Sequence, residues 1–128
     1  MKLLLDTHTF LWFIMGNSKL STTARSYIED TNNDKYVSIV SLWEIAIKNS
    51  IGKLNLSGSF ASVIASQIQL NGFEILDISF QHLVLVSSLP FHHRDPFDRL
   101  IISQSIVEFM PILGTDLLFD LYPITRFW

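Results

Sequence analysis

No cysteine occurs in the 128 residues of this chain, which removes both a disulfide framework and a thiolate metal site. Any bound metal must therefore be held by oxygen or histidine ligands, and hard cations such as Mg²⁺ or Mn²⁺ suit that inventory. There is no linker-like Gly/Ser/Pro stretch, no internal repeat and no low-complexity tract. No apolar run approaches ~18 residues, so a membrane span is not expected and a cytoplasmic location is. The opening Met1-Lys2-Leu3-Leu4-Leu5-Asp6 starts like a signal peptide, but an acid interrupts it and no small-residue cleavage site follows. It reads better as a first strand. Positive charge is in short supply, 9 Lys and Arg against 12 Asp and Glu, which argues against coating nucleic acid by bulk electrostatics. What is abundant is apolar surface: 48% hydrophobic against 16% charged residues is enough for one domain, 1–128, with a real core.

Short apolar runs at Lys2–Leu5, Tyr36–Val40, Phe73–Leu76 and Ile112–Leu113, with a further candidate at Tyr122–Thr125, alternate with segments of helical length. The helical segments are Thr9–Met15, Ser21–Asp30, Leu42–Ser50, Ser59–Leu70, Phe80–Ser87 and Pro96–Phe109. Such alternation predicts an α/β fold of βαβ units, with a parallel sheet covered by helices on both faces. Gly16-Asn17 and Gly52 read as helix stops, and Gly72 as the turn into the third strand. In open α/β sheets the reactive crevice lies beyond the carboxyl ends of the strands. Asp6, Asp116 and, off to one side, Asp77 fall there.

Four carboxylates, Asp6, Glu44, Asp98 and Asp116, end apolar runs or sit in the first turns of predicted helices. Acids gathered at one end of a sheet repel: at ~4 Å and an effective dielectric of ~20, each pair costs about 4 kcal/mol. A divalent cation is the natural compensation. Each acid also has a purely structural role open to it. Asp6 can cap the helix that follows it. Ser41-Leu42-Trp43-Glu44 matches the S-x-x-E capping box, so Glu44 reads equally as cap or ligand. Ser41, Glu44 and Lys48 form one polar stripe on an otherwise apolar helix, which favours a crevice wall, although a plain Glu44–Lys48 helical ion pair remains open.

The densest polar segment is His92-His93-Arg94-Asp95-Pro96-Phe97-Asp98-Arg99. Pro96 suits the first helical position, which makes Asp95 the N-cap and Asp98 the third helical residue. Asp98 shares its face with Ile101, Ile102 and Ser105, and so projects toward the covered side. Asp95 reads as cap first and outer-shell metal ligand second. Thr115-Asp116 follows a short apolar run with a glycine exit, while Asp77 closes a strand expected at an edge and is set aside. None of the 4 histidines forms an H-x-x-x-H pair, which weakens the case for zinc. His92 and His93 read as phosphate contacts or packing residues. No G-x-S-x-G elbow and no phosphate-cradling glycine motif occurs.

Taken together, Leu5-Asp6-Thr7-His8, Ser41-Leu42-Trp43-Glu44-Ile45 with Lys48 and Gly52-Lys53-Leu54, the His92–Ile101 segment, and Thr115-Asp116 with Phe119 resemble the PIN-domain ribonucleases. The likeness is strongest to the toxin halves of VapBC-type toxin–antitoxin modules and spans nearly the whole chain. It implies a three-layer α/β/α sandwich with a central parallel sheet. It assigns Asp6, Glu44, Asp98 and Asp116 to the family's acidic quartet, with Asp95 as an additional acid of this branch.

The resemblance also implies a Mg²⁺- or Mn²⁺-dependent endoribonuclease that hydrolyses RNA phosphodiester bonds. Lys48, Lys53, Arg94 and Arg99 are the basic groups expected to position the RNA backbone, and Thr7 and Thr115 are expected to bond the carboxylates or a water. A cognate antitoxin and a second copy of the chain are the implied protein partners. From another class comes a catalytically silent binding module, in which the acids only cap helices. A phosphoacceptor receiver domain lacks support, since it needs an adjacent acidic pair after the first strand.

Overall fold

A computed structural model of the chain describes residues 1–128. Five strands, β1 (Lys2–Leu5), β2 (Asp34–Ser38), β3 (Glu74–Leu76), β4 (Ile112–Leu113) and β5 (Arg126–Phe127), form one sheet in the order β3-β2-β1-β4-β5 with every pairing parallel. Six helices connect them: α1 (Thr7–Met15), α2 (Thr22–Glu29), α3 (Ile39–Ser50), α4 (Phe60–Asn71), α5 (Phe80–Val86) and α6 (Pro96–Glu108). A parallel sheet needs crossovers, and crossovers cover both its faces, which is why β1 is an unbroken Leu3-Leu4-Leu5 run, fully buried.

Side-chain alternation along the strands divides the core into two halves. Leu5, Val37 and Leu113 point to one face, where they meet Phe10 and Leu11 of α1, Ala24 and Ile28 of α2, Leu42 and Ile45 of α3, and Ile64 of α4. Leu4 and Ile112 point to the other, against Val40 of α3 and Ile101 and Ile102 of α6. The expected three-layer α/β/α sandwich is the observed one.

Boundaries shift by one to three residues at several helices and strands, and two regions differ in kind from the sequence reading. The second strand ends at Ser38, because Ser38 Oγ accepts from the Val40 amide and caps α3. Its pairing with β1, from Lys2 opposite Asp34 to Leu5 opposite Val37, then uses the polar residues upstream. Near the carboxyl end, Leu117–Leu121 winds into a 3-10 turn, and the last strand is Arg126–Phe127 in place of Tyr122–Thr125. Tyr122 caps the end of that turn and is buried with Ile101 and Ile102 of α6. No helix is long and apolar enough to cross a membrane.

Candidate metal centre

β1 is the middle strand, so the residue after it emerges at the centre of the crevice. That residue is Asp6. It caps α1 through Oδ1, which accepts from the Thr9 amide at 2.8 Å, and it is 7% exposed. Its amide donates to the Leu113 carbonyl, as does Thr9 Oγ1, so the start of α1 is tied to the end of β4. Burial pushes its carboxyl above the usual carboxylate range and the charge of Asp116 adds to that, while hydrogen bonds from Thr9 and the nearby His8 act in the other direction.

Asp116 leaves the neighbouring strand β4 after Gly114 and caps the 3-10 turn, with Oδ1 accepting from the Leu118 amide at 2.9 Å. Its second oxygen lies 2.6 Å from His93 Nε2. Asp98 comes from the first turn of α6, with Pro96 before it and Asp95 as N-cap, whose Oδ1 accepts from the amides of Phe97 and Asp98. The Asp98 carboxyl is pushed up to about 7, first by burial and then by the charge of Asp95. Glu44 and Asp116 add to the rise, and His93 opposes it. Glu44, buried on α3, accepts from Lys48 Nζ at 2.9 Å.

The four acids are thus drawn to one end of the sheet, but not equally. One ligand atom from each of His93, Asp98 and Asp116 lies within 4.8 Å of the other two, whereas Asp6 and Glu44 stand outside that trio. Asp98 belongs to the trio and Asp95 does not. Capping occupies only Oδ1 of Asp6 and of Asp116, so the caps aim these carboxylates without consuming both oxygens. The donor set, two carboxylates and one imidazole with further acids alongside, fits a hard or borderline divalent cation.

Three readings of polar residues are corrected. The capping box at Ser41 and Glu44 does not form: Ser38 is the cap, and Ser41 Oγ accepts from Thr7 Oγ1 at 2.9 Å inside the structure. Thr7 accordingly braces α1 against α3 and bonds no carboxylate. Arg99 does not face the crevice. It is 7% exposed and donates to four carbonyls, those of Val86, Leu89, Pro90 and His93, with Phe91 stacked on it at 4.0 Å. It fastens the segment that leads into α6, while Arg94 and Lys53 are exposed.

From the sequence His93 reads only as a phosphate contact or packing residue and Tyr122 only as a strand residue; the structure links His93 to Tyr122 and to Asp116. His93 is 7% exposed, its amide donates to the Tyr122 hydroxyl at 3.0 Å, and its Nδ1 lies 3.1 Å from the same oxygen. The one available signal was position, two residues before the cap of the helix that carries Asp98.

The PIN domain family matches residues 3–120. No curated protein matches the sequence significantly. Among solved structures the chain is similar to VapBC2 from Rickettsia felis bound to a DNA fragment from its promoter, at 20% identity and a TM-score of 0.73, with 99% of this chain and 98% of that one covered. It is also similar to DNA-bound VapBC from Salmonella typhimurium, at 18% identity and TM-score 0.70, with 99% and 97% covered. VapBC-1 from nontypeable Haemophilus influenzae follows at 14% identity and TM-score 0.67, again with 99% and 97% covered. At these identities the likeness is one of fold, while the sequence match spans nearly all of the sheet and the whole crevice: the chain belongs to the PIN domain family.

Proposed function

We propose that the protein, as one PIN-like domain over 1–128, is a metal-dependent endoribonuclease and the toxin of a toxin–antitoxin pair. The observation that carries this reading is the crevice trio of His93, Asp98 and Asp116, with an Asp98 carboxyl pushed up to about 7 among neighbouring acids. A site that strains to keep its carboxylates ionised is one that a cation relieves. Asp98 and Asp116 are the groups to hold Mg²⁺ or Mn²⁺, with Asp6 beside Asp116 and Glu44 beside Asp98. When bound, such an ion supplies Lewis acidity at phosphorus and lowers the pKa of water.

The chain's own residues supply placement. Asp6 and Asp116 are pinned by their caps, so their second oxygens are pre-oriented, that of Asp116 against His93. Glu44, on α3, is held by Lys48 and is the group to orient an attacking water for in-line attack. The exposed Arg94 and Lys53 serve the RNA backbone, contacts that position without reading sequence. Asp95 acts through its charge on Asp98 and through the cap.

The neighbouring folds were solved as VapBC complexes, which supports a cognate antitoxin as the protein partner. An apolar groove of about 370 Å³ between α3 and α4, lined by Leu42, Trp43, Ala46, Phe60 and Ile64, offers it a surface on the same helix as Glu44. Phe80, Leu83 and Val84, on the outward side of α5, offer one to a second copy. The setting expected is the cytoplasm.

A catalytically silent module is the second reading, favoured by the fact that Asp6, Asp95 and Asp116 all cap helical turns. The two are separated by incubating purified protein with mixed cellular RNA in Mg²⁺, in Mn²⁺ and in EDTA, beside Asp6→Ala and Asp98→Ala. Metal-dependent cleavage lost in both variants supports the nuclease. Cleavage that survives EDTA and both substitutions sinks the mechanism, and no cleavage with intact partner binding leaves the silent module.

A further inference from the structure

The trio contains an imidazole, and the arrangement around that ring has a direction. Metal-ligating histidines donate their other ring N–H to a fixed acceptor, which sets the tautomer and aims the free nitrogen. His93 has that acceptor. Its Nδ1 lies 3.1 Å from Tyr122 Oη, and the Tyr122 hydroxyl is itself 3.4 Å from the Pro90 carbonyl. Two proton orders are open to the ring: Tyr122 O–H to Nδ1 with Nε2–H donated to Asp116, or Nδ1–H to Oη and then O–H to the Pro90 carbonyl, which leaves the Nε2 lone pair bare. Nε2 then faces Asp116 Oδ2 at 2.6 Å, with Asp98 in reach. At 2.6 Å the metal-free contact is a hydrogen bond from Nε2–H to Asp116 Oδ2, and the bare-nitrogen order is adopted when a cation joins the two. The opposite tautomer places a proton between Nε2 and Asp116, and a metal ion takes over that proton's role.

The ring cannot easily leave. It is 7% exposed, packed against Phe119 at 5.1 Å and held by its own amide on Tyr122. Tyr122 is itself buried. Buried imidazole, fixed orienting partner and two carboxylates are three independent features that meet at one point.

We infer that His93 Nε2 is a direct metal ligand together with Asp98 and Asp116, so that the site is a mixed nitrogen and oxygen centre selecting a first-row transition ion over Mg²⁺. The inference rests on the metal-dependent reading of the crevice and goes beyond it. Mg²⁺ gives up its water reluctantly and is usually served by carboxylates alone, whereas first-row divalent ions accept imidazole. Tyr122 is the positioning residue, acting through the ring.

The test uses Mn²⁺ alone with the intact chain. Pulsed electron paramagnetic resonance of bound Mn²⁺ detects a directly bonded imidazole through ¹⁴N modulation. Titration calorimetry gives the Mn²⁺ and Mg²⁺ affinities. The expected result is ¹⁴N modulation in the native chain that vanishes in His93→Gln, a variant that keeps a hydrogen-bond donor for Asp116 and has no ring nitrogen. Mn²⁺ affinity should fall in that variant by more than the roughly 10- to 100-fold that losing a group merely supporting a metal ligand costs, and Mg²⁺ affinity by less. Tyr122→Phe should weaken Mn²⁺ binding in the same sense with the ¹⁴N signal retained.

Mn²⁺ bound without nitrogen modulation overturns the inference while leaving the nuclease reading intact. So does modulation that persists in His93→Gln, which would place the nitrogen on His8 or His92. Failure of the native chain to bind any divalent ion overturns both. The measurement on the native chain stands even where a substituted chain misfolds.

Discussion

Gly114 lies so close to Asp6 that a Cβ built on it would meet Asp6 Oδ2 at 2.7 Å. The glycine at the exit of β4 is therefore a requirement of the acid at the exit of β1. Asp6 cannot simply swing away, because its other oxygen is held by the Thr9 amide. Gly114→Ala is expected to destabilise the fold by about 1–3 kcal/mol, as for other overpacked sites. It should also displace the carboxylate, so that divalent-ion affinity falls further than the loss of stability explains. Thermal melts with and without Mn²⁺ read both effects. A Gly114→Ala chain with native metal affinity would show that Asp6 Oδ2 has no part in the site.

Asp98 gives the metal-free protein an unusual pH response. In the folded chain its proton is held up to about pH 7, against 3.8 for the ordinary carboxyl. Between those values the folded state carries more protons than the unfolded one, so stability falls as pH rises and levels off above about 7. Asp6, also raised, acts in the same direction. In EDTA the melting temperature should be higher at pH 5 than at pH 8. Asp98→Asn should flatten that slope and melt above the native chain at pH 8. Added Mn²⁺ should stabilise the native chain more at pH 8 than at pH 5, because a proton competes for the same oxygen. A melting temperature that climbs with pH in EDTA would contradict the crowding of acids.

Two arginines five residues apart sit in opposite surroundings, Arg99 buried and Arg94 exposed. Arg99 serves four carbonyls between Val86 and His93, and removing it leaves buried acceptors without a donor. Each such orphan costs roughly 1–3 kcal/mol, so Arg99→Ala is expected among the most damaging substitutions in the chain. Arg99→Lys should not restore it, since a single ammonium cannot span four acceptors. Arg94→Ala should leave the melting temperature unchanged and weaken RNA binding with a salt slope reduced by about 1. Urea unfolding and RNA binding at several salt concentrations separate the two.

The contrast between these arginines shows what was legible in the sequence. Strands and helices were readable wherever apolar period and punctuation agreed: the Leu3-Leu4-Leu5 run, the Pro96 start of α6, and the stops at Gly16 and Gly72, both left-handed caps. The α3 boundary was not, because Ile39 and Val40 suit a strand as well as a helix and only the Ser38 cap decides. The placement of Asp6, Asp98 and Asp116 was readable because a carboxylate after a strand or in a first turn is placed by local rules, whereas Glu44 lies a turn further into α3 than the expected cap at Ser41 puts it. His93, Tyr122 and Arg99 were not, since their partners lie 23 to 29 residues away for His93 and on a loop of backbone carbonyls for Arg99. Polar groups satisfied through long-range contacts leave no periodicity behind.

Asp95 and Asp98 sit in one first turn, and the structure divides their work. Asp95 caps α6 and raises the Asp98 carboxyl by its charge. Asp95→Asn keeps a capping oxygen and removes the charge, so it is expected to leave stability nearly unchanged and bring the Asp98 carboxyl down. Asp95→Ala also removes the cap and should cost about 1 kcal/mol. Neither should abolish divalent-ion binding, because Asp98, Asp116 and His93 remain. Asp98→Asn should abolish it while leaving the helix capped. Metal titrations of the three variants, each checked by thermal unfolding, assign the roles: loss of binding in Asp95→Asn with retention in Asp98→Asn would reverse them and move the ligand to the residue that caps the helix.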